Sequence, residues 1–253
     1  MSAGLIAEAL TVTGRCHDVS TALAAGQLVA ICGPNGAGKS SLLAALAGLI
    51  AADSGMARLG GAPLASLGAR DRARTIGYLP QSGEVAWNLE VEALVALGRL
   101  PWGGSRRDSA VAAALAAMEL ESLRHRAVGT LSGGERARTL LARVLAGAPR
   151  WILADEPLAS LDLGHAAEVM RLLAAQAAAG RGVVVVVHDL AMAMNHADRV
   201  LVLDSGALVA DGPPDVALAE DVLARVWQVE AQWLGAPGAR ALALSSGATP
   251  PAR

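Results

Sequence analysis

Apolar residues run along this chain in short blocks that close on polar or charged side chains, and the spacing shifts from block to block. Gln27 to Cys32, Arg74 to Leu79, Trp151 to Ala154 and Val183 to Val187 are runs too short for helices. They are apolar enough to be strands buried on both faces, as in a parallel sheet. Between them lie segments with helical spacing: Ser41 to Leu49, Val91 to Leu97, Ser109 to Leu123, Gly133 to Ala146 and Leu163 to Ala179, with a last one from about Glu220 to Val229. Strands alternating with helices predict an α/β fold with a mainly parallel central sheet and a ligand beyond the strands' carboxyl ends. Leu5 to Leu28 reads as short strands and turns, clearest at Thr11 to Thr13. Val200 to Leu203 and Ala207 to Ala210 read as a hairpin over Asp204-Ser205-Gly206. The helical pattern from about residue 84 to 147 interrupts the strands and reads as an inserted helical subdomain. Beyond Leu234 the composition turns to Gly, Ala, Pro and Ser, so residues 236–253 read as a flexible tail on a domain spanning 1–235.

Composition narrows the partners. A chain of 253 residues can bury one sizeable core without disulfides. The net charge of -2 and the dispersed arginines argue against a nucleic-acid partner. Cys16 and Cys32 have no metal-ligand spacing and fit a reducing cytosol, and Cys32, at a strand end, reads as a small core residue. Apolar runs such as Leu42 to Ala52 end well short of the roughly 20 residues a membrane span needs. No basic segment followed by an apolar one marks a signal peptide, so a cytoplasmic protein with at most peripheral membrane contact is expected.

The chemistry centres on Gly33-Pro34-Asn35-Gly36-Ala37-Gly38-Lys39-Ser40, set between a strand and a helix that runs on from Ser41. Glycines let backbone N–H groups converge on phosphate oxygens at a helix N-terminus. Lys39 can then reach the β- and γ-phosphates, and the Ser40 hydroxyl can hold Mg²⁺. Asp155 closes an apolar strand, where a carboxylate would position that ion, and Glu156 beside it is available as a base. Leu131-Ser132-Gly133-Gly134-Glu135 offers a hydroxyl and free N–H groups at a second helix start, a second anion site. Gln81 and His188 each follow a strand.

This set, together with Ser160-Leu161-Asp162 and in this order, resembles the ABC ATPases from about Leu5 to Leu234. The resemblance implies a P-loop NTPase fold with an N-terminal antiparallel β subdomain and an inserted helical subdomain. It implies a head-to-tail homodimer holding two ATP molecules, each between one subunit's phosphate loop, with Ser41, and the other's Ser132, Gly133 and Gly134. Lys39, Ser40, Gln81 and Asp155 would hold phosphates and Mg²⁺. Glu156 would polarise the attacking water, His188 would contact the γ-phosphate, and Asp162 would link the sites.

Leu97 to Trp102, Asp162 to His165 and His188-Asp189-Leu190 are similar to the ATPases of importers for ferric siderophores, haem and cobalamin. That implies a protein on the cytoplasmic face of the membrane beneath two permease subunits, which the helical subdomain contacts, served indirectly by a substrate-binding protein. An iron-siderophore cargo is expected first, haem or cobalamin next. Trp87 and Trp102 either line the permease groove or pack in a core. A soluble ABC ATPase, an exporter subunit and a phosphate-loop kinase are the competing readings. The chain departs from the family in lacking an aromatic residue before the phosphate loop, leaving Arg15 or His17 as candidates to cover the base. Leu158 and Ala137 also replace usual residues, with no loss of hydrolysis expected.

Overall fold

The computed structural model describes residues 4–81, 89–106, 108–159 and 161–244. The chain opens with β1 (Leu5–Val12), β2 (Cys16–Leu23) and β3 (Leu28–Cys32), followed by α1 (Lys39–Leu46). Next come β4 (Ser54–Leu59), β5 (Ala62–Pro63), α2 (Ala69–Thr75) and β6 (Ile76–Leu79). The helical insertion holds α3 (Val91–Ala96), a 3₁₀ segment over Leu97–Trp102, α4 (Ser109–Ala117) and α5 (Gly133–Ala146). Strands and helices then alternate through β7 (Trp151–Asp155), α6 (Leu163–Ala178), β8 (Gly182–Val186), α7 (Leu190–His196) and β9 (Arg199–Asp204). The chain closes with β10 (Ala207–Gly212), α8 (Pro214–Ala217), α9 (Glu220–Trp227), β11 (Ala231–Leu234) and β12 (Ala241–Leu244).

Six strands form the central sheet in the order β10-β9-β3-β8-β7-β6, all parallel except the β10 edge. Their side chains alternate between two cores. Leu28, Ala30, Ile152, Ala154, Val183 and Val185 face α6, α7 and the helical insertion. Val29, Ile31, Leu153, Val184 and Val186 face α1 and the antiparallel sheet β2-β1-β4-β5. Burial on both faces explains why these strands read as unbroken apolar runs. The core is dense in Val, Leu and Ala, and Trp151, at the start of β7, is the one fully buried aromatic among the described residues.

Two expectations are corrected. Arg74 and Thr75 belong to α2, so the strand expected from Arg74 begins at Ile76. Residues beyond 235, expected as a mobile tail, are ordered as far as Leu244. There β12 pairs with β11, Asn195 exchanges two 2.8 Å hydrogen bonds with the Arg240 backbone, and the Trp233 indole donates to the Leu218 carbonyl at 2.8 Å. Those bonds replace the apolar burial whose absence from the composition suggested mobility.

Candidate nucleotide site

Sheet order assembles the site. The adjacent parallel strands β3, β8, β7 and β6 deliver, at their carboxyl ends, the 33–40 loop, His188, Asp155-Glu156 and Gln81. This is the edge where α/β sheets bind ligands. Asn35, Gly36, Ala37, Gly38, Lys39, Ser40, Ser41, Gln81, Glu156 and His188 line one open cleft there, with Arg15 at its rim.

The loop's shape depends on two glycines. Gly33 and Gly38 have φ of 149° and 90°, and a Cβ on either would stand 2.1 to 2.2 Å from a backbone oxygen, of Leu203 and Arg15 respectively. No other residue type fits such approaches. Gly38 is also the residue before α1, whose first-turn N–H groups have no partner within the helix. Lys39 is buried, and its ammonium donates to the Gly33 and Pro34 carbonyls at 2.8 Å each. Burial lowers its pKa, opposed by the charge of Glu156.

Asp155 is 3% exposed and accepts a 3.0 Å hydrogen bond from the Ser40 hydroxyl. Burial raises its pKa, with the Ser40 bond acting the other way. Glu156 turns away from the strand at φ 51°, a left-handed conformation that costs a non-glycine residue roughly 1–3 kcal/mol. Its N–H donates to the Val186 carbonyl at 3.2 Å, and its Oε1 lies 2.5 Å from His188 Nε2. Asp189, next to the histidine in sequence, caps α7 by accepting from the Ala191 and Met192 N–H groups.

A buried carboxylate beside a hydroxyl, both oxygen donors at a phosphate loop, fits Mg²⁺, which takes only one or two protein ligands and completes its shell with water and phosphate. Among the described residues no group of three or more His, Cys, Asp or Glu gathers as a metal cage. The fit therefore depends on a phosphate-bearing ligand sharing the ion.

Ser132, Gly133, Gly134 and Asp162 lie outside this cleft. Ser132 caps α5 in a capping box, accepting from the Glu135 N–H at 3.2 Å while Glu135 Oε2 accepts from the Ser132 N–H at 2.8 Å. Asp162 caps α6, accepting from the His165 N–H at 2.9 Å and meeting its Nδ1 at 2.7 Å. Of the two candidates for covering a base, Arg15 lines the cleft, while His17 packs on the Gly206 turn. Trp102 is 43% exposed, and Trp87 falls outside the described residues. Sequence reasoning missed Tyr78, whose phenol is pushed up to about 12 by burial and then by the Asp155 charge. Only its position within a buried strand was legible.

The family model for the ABC transporter matches residues 16–159, spanning the phosphate loop, Ser132 to Gly134 and Asp155-Glu156. The chain belongs to the ABC transporter family. This ABC protein is 49% identical to the hemin import ATP-binding protein of Nocardia farcinica, over 87% of the chain and 78% of that relative. It is 46% identical to the protein of the same name from Streptomyces coelicolor, over 83% of the chain and 76% of that relative. The dimeric structure of a bacterial ABC transporter cassette superposes with a TM-score of 0.75 at 26% identity, over 83% of this chain and 98% of that one. Among the described residues no helix of this ABC protein is long and apolar enough to cross a membrane.

Proposed function

We propose that this chain is the ATP-hydrolysing subunit of an ABC importer that carries a metal chelate across the cytoplasmic membrane. In this reading it works as a homodimer on the cytoplasmic face, beneath two permease subunits supplied by a substrate-binding protein. The observation that carries the catalytic part is the convergence of Lys39, Ser40-Asp155 and Glu156-His188 around one phosphate loop. Haem is the cargo proposed, ahead of the iron-siderophore that motif resemblance put first, because relatives with 49% and 46% identity carry hemin import in their names.

Within that function the loop amides and Lys39 bind the β- and γ-phosphates, and Lys39 exchanges its two carbonyl partners for phosphate oxygens. Ser40, Asp155 and Gln81 would hold Mg²⁺, whose charge would offset that developing on the transferred phosphoryl. Glu156 accepts hydrogen from the attacking water, and His188 orients that carboxylate and donates toward the γ-phosphate. Ser132, Gly133 and Gly134 of the second subunit close over the same phosphate, and Asp162 links the two sites.

The test is purification of the tagged chain from its own membranes in mild detergent, followed by reconstitution of the complex in proteoliposomes with its binding protein. Uptake of hemin that requires ATP and stops with Glu156→Gln is expected. Uptake of a ferric siderophore or cobalamin without hemin would move the cargo. An intact, ATPase-competent complex containing only soluble partners would overturn the importer reading.

A further inference from the structure

α7 has seven residues and buries only Ala193 and Met194. A helix this short is not stable in water through its own hydrogen bonds, so its position depends on what holds its two ends. At the start, Asp189 caps it by accepting from the Ala191 and Met192 N–H groups. The residue before that cap is His188, whose side chain is 44% exposed and meets Glu156 Oε1. Little packing fixes the imidazole, so where it stands follows from where β8 ends and α7 begins.

At the other end of α7 the C-terminal hairpin takes hold. Asn195 donates through Nδ2 to the Ala191 and Arg240 carbonyls at 2.9 and 2.8 Å, and its Oδ1 accepts from the Arg240 N–H at 2.8 Å. Both ends of one amide thus meet both main-chain groups of the residue that leads into β12, which fixes orientation as well as distance. The Arg240 guanidinium adds a 3.5 Å contact to the Met194 sulfur. β12 pairs with β11, and the Trp233 indole on β11 is anchored on the Leu218 carbonyl just past α8. The hairpin therefore ties α7 to α8, although no described residue of it lines the nucleotide cleft.

We propose that Asn195 is a positioning residue for hydrolysis: by fastening the end of α7 to the C-terminal hairpin, it holds His188 against Glu156. The inference rests on the roles given above to Glu156 and His188. Seven helical residues span about 10 Å, so a tilt of roughly 6° displaces one end by about 1 Å. A misplacement on that scale can cost about 10²-fold in rate.

A double-mutant cycle in the full chain, read as Mg²⁺-ATP hydrolysis, tests this. Asn195→Ala should lower kcat roughly tenfold and leave KM for ATP within twofold, because the phosphate loop and Lys39 are untouched. His188→Ala should be slower by about 10²-fold, and adding Asn195→Ala to it should change kcat by less than twofold, since the effect passes through the imidazole. An asparagine that merely stabilises the fold would cost the same factor in both backgrounds. Should Asn195→Ala fail to fold, Trp233→Phe carries the test: it keeps an aromatic ring, frees the hairpin's other anchor, and should lower kcat about threefold, in line with one lost hydrogen bond, only when His188 is present. A kcat within twofold of wild type in the variant that folds would overturn the inference, as would an equal loss with and without His188. If His188→Ala alone hydrolyses ATP normally, the role of His188 falls and takes the inference with it. A slow His188→Ala beside a normal Asn195→Ala sinks the inference alone.

Discussion

Glu156 and His188 meet at 2.5 Å because β7 and β8 are paired in parallel with Asp155 opposite Val186, which puts Glu156, one residue on, and His188, two residues on, at the same end of the sheet. The glutamate side chain is 14% exposed and the histidine 44%, so the pair opens on the cleft rather than the core. A carboxylate has lone pairs for both an imidazole and a water. Replacing Glu156 with glutamine keeps the volume and removes the proton acceptor. Turnover should fall by roughly 10²- to 10⁴-fold while ATP still binds, and ATP should trap a dimer visible by size-exclusion chromatography. Turnover within a few-fold of wild type would remove Glu156 as the base.

Arg15 is the residue that borders the cleft where an aromatic ring is expected to cover the base, and its backbone carbonyl packs against Gly38. A guanidinium plane stacks on any purine and reads none of the edge groups that separate adenine from guanine. GTP and ATP should therefore be hydrolysed with similar kcat/KM. Arg15→Ala should weaken both nucleotides together by a few-fold, in line with roughly 0.5–1 kcal/mol for an exposed cation–π contact. A strong preference for ATP that survives Arg15→Ala would show that another group reads the base.

What was legible in the sequence depended on whether local chemistry or distant neighbours decide each piece. The helix over Gly133–Ala146 was readable because its own capping box and apolar spacing set it. The segment from Ser109 was harder: α4 stops at Ala117 and Glu119 takes φ 53°, a break that apolar spacing does not mark. In the N-terminal sheet, register shifts around Ala9 and Asp18, both with positive φ, spoil the two-residue alternation that announces strands. The phosphate loop, Asp155, Glu156 and His188 were legible as motifs and strand ends. Tyr78 was not, since a strand tyrosine becomes notable only through what surrounds it in space.

Ser132 serves its own helix while offering its hydroxyl to solvent at the N-terminus of α5. Aspartate caps as well as serine and complements the helix dipole, so Ser132→Asp should leave the unfolding temperature unchanged or slightly raised. If that helix start meets a second subunit's γ-phosphate, the added charge is repulsive by several kcal/mol. ATP-induced dimerisation should then vanish and steady-state ATPase should drop roughly 100-fold or more. Normal ATPase in a stably folded Ser132→Asp variant would exclude Ser132 from the nucleotide site.

Asp155 sets function against stability. Its pKa in the folded chain lies above the ordinary 3.8, chiefly because burial disfavours the ionised form. Below about pH 4 the acid is protonated in both folded and unfolded chains and burial of charge costs nothing. As pH rises, the unfolded chain releases its proton first. Stability therefore declines through the interval up to the raised folded pKa, and the penalty is complete at neutral pH. Asparagine at this position still accepts from the Ser40 hydroxyl through its carbonyl oxygen and carries no charge to bury. Without nucleotide or Mg²⁺, Asp155→Asn should melt higher than wild type at neutral pH, by about 2–4 °C for each kcal/mol recovered in a chain of this size. That advantage should shrink toward zero near pH 4. The same variant should lose Mg²⁺-dependent hydrolysis by about 10²-fold or more, since the carboxylate proposed to hold the ion is gone. Calorimetry across pH checks the first expectation and steady-state ATPase the second. A lower melting temperature for Asp155→Asn at neutral pH would mean that the Ser40 hydrogen bond outweighs the burial of charge.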